Sequence, residues 1–145
     1  GVALGQVASR TTQYFTSLDD LRTQALQLLA KEIDDDLDAV RRSLVASGGS
    51  PALLVDRLHE YLHNSRNVAA DVSLMSAGAF DSDLRELSLR WQNNFVEILN
   101  EYVGHDSALA LAMLADGVVV HTALHGTVVS KDFLHTLVAP FMAQK

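Results

Sequence analysis

Residues 107–129 are apolar on nearly every side of the helix they would form, and between 108 and 120 the only charge is Asp116. A helix with no polar face has to be covered all round. Asp116 and His121 interrupt the run, which falls short of the roughly 20 apolar residues that cross a bilayer. The expected cover is therefore protein, and no membrane is implied. Ala108, Ala110, Ala112, Ala115 and Gly117 would let a neighbouring backbone come close. One reading makes this the central helix of a monomer. The reading adopted as the expectation pairs it with a last helix over 130–143, two such pairs forming a four-helix bundle across a two-fold axis. The homodimer interface would then use Leu111, Leu114, Val118 and His121 from the first helix. Leu134, Leu137 and Phe141 would come from the second.

The remainder of the chain reads as helix throughout. Leu21, Ala25, Leu28, Leu29, Ile33, Leu37, Val40 and Leu44 repeat at helical spacing. Ser17, with Asp20 three residues on, suits a helix start, and Gly48-Gly49 suits a stop. About 30 residues at 1.5 Å each would span roughly 45 Å, more than a small domain needs, so this helix is expected to connect two parts. Ser50-Pro51 restarts the helix pattern, with Leu54, Leu58, Tyr61 and Leu62 inward. A helix over about 67–77 ends at Gly78. Asp81-Ser82 opens the next, with Leu84, Leu87, Trp91, Phe95, Ile98 and Tyr102 on one stripe, and Gly104 closes it. The apolar helix opens at Asp106 or Ser107 and ends at His125-Gly126. Ser130 opens the last, with Phe133, Leu134, Leu137, Val138 and Phe141 inward. No segment alternates with a strand's period, and no internal repeat is present. The fold class expected is an all-α helical bundle, with a small N-terminal part over 1–20 and a larger domain over 21–145.

Composition narrows the chemistry. Eighteen acidic against 11 basic residues leave a net charge of −7, which opposes nucleic-acid binding over most of the surface. With no cysteine, disulfides, iron–sulfur clusters and thiolate zinc sites are excluded. The lack of cysteine and of a cleavable leader fits a cytoplasmic protein. There is no nucleophile–base signature, phosphate-cradling glycine loop or dinucleotide fingerprint, so neither catalytic residues nor a cofactor are expected. His59-Glu60-Tyr61-Leu62-His63 does match the H-E-x-x-H pattern in which two histidines one turn apart hold zinc and the glutamate activates water. A helical zinc hydrolase would also need a third ligand and a substrate-binding edge, usually a strand, and no strand pattern is present; it stands as an alternative reading, beside a helical scaffold or interaction domain. His121 and His125 share the same spacing at the end of the apolar helix, where a protonated imidazole suits the helix dipole. Asp34, Asp35, Asp36 and Asp38 read as a solvated helix face, since a calcium loop needs its glycine and terminal glutamate outside a helix.

A mostly apolar sensor cavity with a few polar groups is expected among the middle helices. Met75, Phe80, Trp91, Phe95 and Met113 are the candidates for its walls. Arg57, Tyr61, Asn94 and Asp116 are the candidates for its polar groups.

The N-terminus carries a resemblance. The first ten residues, GVALGQVASR, resemble the first helix of a helix-turn-helix. Tyr14-Phe15-Thr16-Ser17-Leu18-Asp19-Asp20-Leu21 resembles the junction in the TetR family of bacterial transcriptional regulators. There an aromatic pair ends the recognition helix, and a serine turn and an acidic pair open the connector. Leu114-Ala115-Asp116-Gly117 is similar to a frequent feature of that family's penultimate helix. The resemblance implies a ligand-responsive repressor that binds operator DNA as a homodimer and is released by a small, largely apolar effector. It further implies DNA contacts from Thr12, Gln13 and Tyr14, with Ser17 and the connector's first amides on a phosphate. Leu18 stands where the family usually has a lysine. The head is represented only in part. About seven residues, a turn of 3–4 and one helical turn, would be missing between Arg10 and Thr11. The sequence is therefore expected to join segments of a longer chain, which an intact mass would check.

Overall fold

The computed structural model describes the backbone of residues 2–143 and the side chains of residues 17–143. Six α-helices follow one another: α1 (Val2–Ser47), α2 (Pro51–Leu62), α3 (Ser65–Gly78), α4 (Ser82–Val103), α5 (His105–His125) and α6 (Lys131–Val138), with a short 3-10 turn, Ala139–Phe141, after the last. No strand occurs among the described residues, so the expected all-α helical bundle is what forms.

Most boundaries follow from local chemistry. Gly48 and Gly49, at φ 65° and 83°, end α1 in a region that side chains with a Cβ avoid. The Asp81 carboxylate accepts from the amides of Asp83 and Leu84 at 3.0 and 3.1 Å and starts α4. Ser130 Oγ accepts from Phe133 N at 3.1 Å and starts α6. The start of α3 is set by Asn64, whose side chain accepts from Asn67 N at 3.1 Å. Each such cap satisfies an amide that the first turn leaves without a partner.

α4 is the hub, packing against α1, α3 and α5, while α6 lies on α2. The largest fully buried side chains are Leu44, Leu62, Leu99, Leu134 and Val138, one core fed by α1, α2, α4 and α6. Buried Ala108, Leu111, Ala112 and Val119 carry α5 into it. By length and apolar content α5 also satisfies what a membrane crossing requires, being longer than the apolar run that marks it in sequence. In this fold it is a packed helix: one side is buried, and its Asp116 is hydrogen-bonded to α4.

Two expectations about α1 fail. The connector does not begin at Ser17. The helix runs unbroken through Arg10, Thr11 and Ser17, because nothing between Gly5 and Gly48 breaks it and extending a formed helix costs little. Ser17 is thus an exposed mid-helix residue, with no free first-turn amides beside it to hold a phosphate. The inward stripe is also shorter than its periodicity indicates. Ile33, Leu37 and Leu44 are buried, whereas Leu21 and Leu28 are 61% and 57% exposed. Among the described side chains, the first ties from α1 to the body are ion pairs of Arg22 with Asp81 and Asp83 at 2.9 and 3.5 Å. The helix therefore extends beyond the start of α4.

Candidate functional site

Two surfaces concentrate the chemistry: an acid-lined junction of the middle helices and the outward side of α5 and α6.

At the junction, the Tyr61 hydroxyl on α2 donates to Asp71 Oδ2 on α3 at 3.0 Å. Gln92 Nε2 on α4 donates to Asp116 Oδ2 on α5 at 2.7 Å. Both carboxyls are held above the ordinary carboxylate range, first by burial. For Asp116 the charge of Asp71 adds to this, while the Gln92 amide partly offsets it. Asp36 on α1 is pushed the same way, by desolvation first and then by Glu32, Asp35 and Asp71. Burial and the neighbouring Asp71 also raise the Tyr61 hydroxyl. Asp71 on α3 thus bears on carboxyls of two other helices, Asp36 on α1 and Asp116 on α5, with no cation among the causes of their shifts. Asp34 behaves differently: it forms a two-point pair with Arg90 at 2.7 and 2.8 Å and is lowered by it. Asp35 and Asp38 pair with Lys31 and Arg41. The acidic face of α1 is therefore divided between paired surface groups and one carboxyl that belongs to the junction.

The sign of the pH effect follows. A carboxyl raised on folding binds its proton more tightly in the folded chain, so its stabilising contribution is full in acid and lost as pH rises through the raised value. Asn can still accept from Gln92, so Asp116→Asn removes the charge and keeps the bond. The variant is expected to melt higher than the parent near pH 7 and to lose that advantage near pH 4. Thermal unfolding at both pH values checks this, and an equal gain at both would remove the buried charge as its cause.

Of the expected cavity residues, only Tyr61 and Asp116 reach this junction. Trp91 and Phe95 stack on each other, centroids 4.7 Å apart and planes 15° off parallel, with Phe95 in the core. Met75 packs half-buried against the core. Phe80 is 93% exposed, because it sits in the tight turn joining α3 to the Asp81 cap. Met113 is 65% exposed on the far side of α5. Arg57 donates to Ser43 Oγ at the α1–α2 surface. Asn94 lines an open groove of about 290 Å³ with Asp34, Leu37, Asp38 and Arg41. The expected walls therefore do not close around one space. Asp71 and Gln92 were not anticipated. Asp71 carried a weaker form of the Asp116 signal, the one acid of α3, set between Ala69-Ala70 and Val72.

On the outward side, Leu109, Met113, Val120 and Leu124 of α5 and Phe133 of α6 are 39%, 65%, 37%, 79% and 51% exposed. Nothing lies within 4 Å of where a Cβ on Gly117 would stand. The interface expected from sequence is partly out of phase with this face. Leu111 and Leu134, at 2% and 0%, belong to the chain's own core. Leu114, Val118 and Phe141 are half-buried against that core, Leu137 is half-buried, and His121 is exposed. Phe133, expected inward, points out.

Both histidine pairs meet. The rings of His59 and His63 lie 4.4 Å apart at 65°, and those of His121 and His125 lie 3.9 Å apart at 18°. Among the described residues no group of three ligating side chains that could hold a metal forms, so the H-E-x-x-H pattern gains no third ligand. Thr12, Gln13 and Tyr14 fall outside the described side chains.

No family model and no characterised protein matches this chain. What it does must be argued from its own geometry.

Proposed function

We propose that the chain is the dimerising, effector-binding body of a bacterial transcriptional repressor similar to the TetR family, a cytoplasmic homodimer acting on operator DNA. The observation that carries this reading is the uncovered apolar side of α5: Met113 and Leu124 are each more than half exposed, on either side of a glycine with open space before it, and Phe133 of α6 is exposed as well. Two copies joined on that face form a four-helix bundle. Each copy then holds its α1 at a fixed separation from the other's, with Thr12, Gln13 and Tyr14 in the N-terminal part of that helix.

The effector is a small molecule with an apolar body that engages the junction of the middle helices, where Tyr61, Asp71 and Asp116 supply its polar contacts. It acts by binding one arrangement of the helices better than the other, since equal binding shifts nothing. The N-terminal half of α1 is the part to move: Leu21 and Leu28 are exposed there and Arg22 pairs with Asp81 at the surface, where such pairs contribute little, whereas Ile33, Leu37 and Leu44 anchor the rest of α1 in the core.

Selection of duplexes from a random DNA pool by the full chain tests the reading. The expected product is a two-fold symmetric site with half-sites about 34–36 Å apart, bound less tightly as salt rises. A pool that shows no enrichment overturns the repressor reading.

A further inference from the structure

The two histidine pairs are not equivalent. His121 and His125 lie one turn apart on the same side of α5. Both are exposed, with rings nearly parallel at 3.9 Å. His125 Nδ1 lies 2.9 Å from the backbone carbonyl oxygen of His121. A carbonyl can only accept, so Nδ1 carries the hydrogen, and in the neutral ring Nε2 keeps its lone pair. That is the arrangement usual for a metal-binding histidine, one nitrogen oriented by a carbonyl and the other free to ligate. Two zinc–nitrogen bonds of about 2.0–2.1 Å at a tetrahedral angle place their nitrogens about 3.3 Å apart, a span that two exposed histidines one turn apart on a helix reach by rotating their side chains. The pair also ends α5, where the carbonyl end of the helix favours a cation.

The His59–His63 pair shares the spacing and the carbonyl contact, at 2.8 Å, but His59 is partly buried, and burial first, then His63 and Lys131, depress its imidazole, which disfavours a cation there.

We propose that His121 and His125 form a two-histidine site for a first-row divalent transition metal such as zinc or nickel, on the outward side of α5. Imidazole nitrogens select these ions over magnesium or calcium, which prefer oxygen. Among the described residues no third ligating side chain joins the pair, so water completes the coordination. The site does not depend on whether the chain binds DNA.

Calorimetric titration of the untagged, metal-free full chain with nickel and with zinc tests it. Binding is expected with both ions and not with magnesium. His125→Ala and His121→Ala should each weaken it at least about tenfold, while His63→Ala leaves it unchanged. Circular dichroism confirms that each exposed-site variant keeps its helices. Absence of binding by the parent chain overturns the site, as does an unchanged affinity in His125→Ala or a loss in His63→Ala instead.

Discussion

Leu134→Ala is expected to lower the stability of the isolated chain by about 2–5 kcal/mol, the range for deleting a fully buried leucine. For a domain of this size that is roughly 6–18 °C in Tm, a large part of the 5–15 kcal/mol that such domains have in total. Leu134 has no exposed surface, and α6 lies against α2, so the truncation leaves a cavity between those two helices. Phe133→Ala, one residue away, supplies the contrast. Its side chain is 51% exposed, and its removal should change the monomer by no more than about 0.5 kcal/mol. Thermal unfolding across a wide concentration range separates the two roles. A Leu134→Ala loss that is independent of concentration marks a core residue. A loss that vanishes on dilution would return Leu134 to the interface.

That phase is what the sequence could not supply, and the reason is physical. Helix ends are decided by a few neighbouring atoms, so Gly48-Gly49, Asp81, Gly104, Gly126 and Ser130 mark them correctly in the sequence and in the fold. Which side of a helix faces inward is decided by contrast between its sides, and α5 has almost none. Apolar residues all round it leave Leu111 and Met113 equally eligible for the core, and only the packing of α3 and α4 chooses Leu111. The junction was half legible. Asp116 stood out as a lone charge, but its partner Gln92 lies 24 residues away and Tyr61 meets Asp71 across two helices. No local pattern encodes such pairings. The expected turn at Ser17 failed for the opposite reason: its residues tolerate a cap and tolerate a helix equally, and no glycine or proline forced the break.

Met113→Glu is expected to separate the proposed dimer while leaving the fold intact. Glutamate is nearly as good a helix former as methionine, and Met113 is 65% exposed in the single chain, so circular dichroism and monomer unfolding should barely change. In a four-helix interface the same carboxylate would be buried without a partner, near Asp116 of its own helix. The dissociation constant should then rise at least about a hundredfold, near 2.7 kcal/mol. Leu89→Glu, an equal charge change at a residue of α4 that is 43% exposed, should leave association unchanged. Gly117→Ala sharpens the test, because its two effects have opposite sign. Nothing crowds a Cβ there, so alanine should stabilise the monomer by about 0.5–1 kcal/mol through helix propensity alone. If a second α5 crosses close to Gly117, the added methyl holds the two backbones apart and weakens the dimer. Sedimentation of both variants reads the association, and unfolding at low concentration reads the monomer. A Gly117→Ala chain that is more stable and associates as before would place the crossing elsewhere on α5. A Met113→Glu chain that associates like the parent would remove this face as the interface, and with it the observation on which the repressor reading rests.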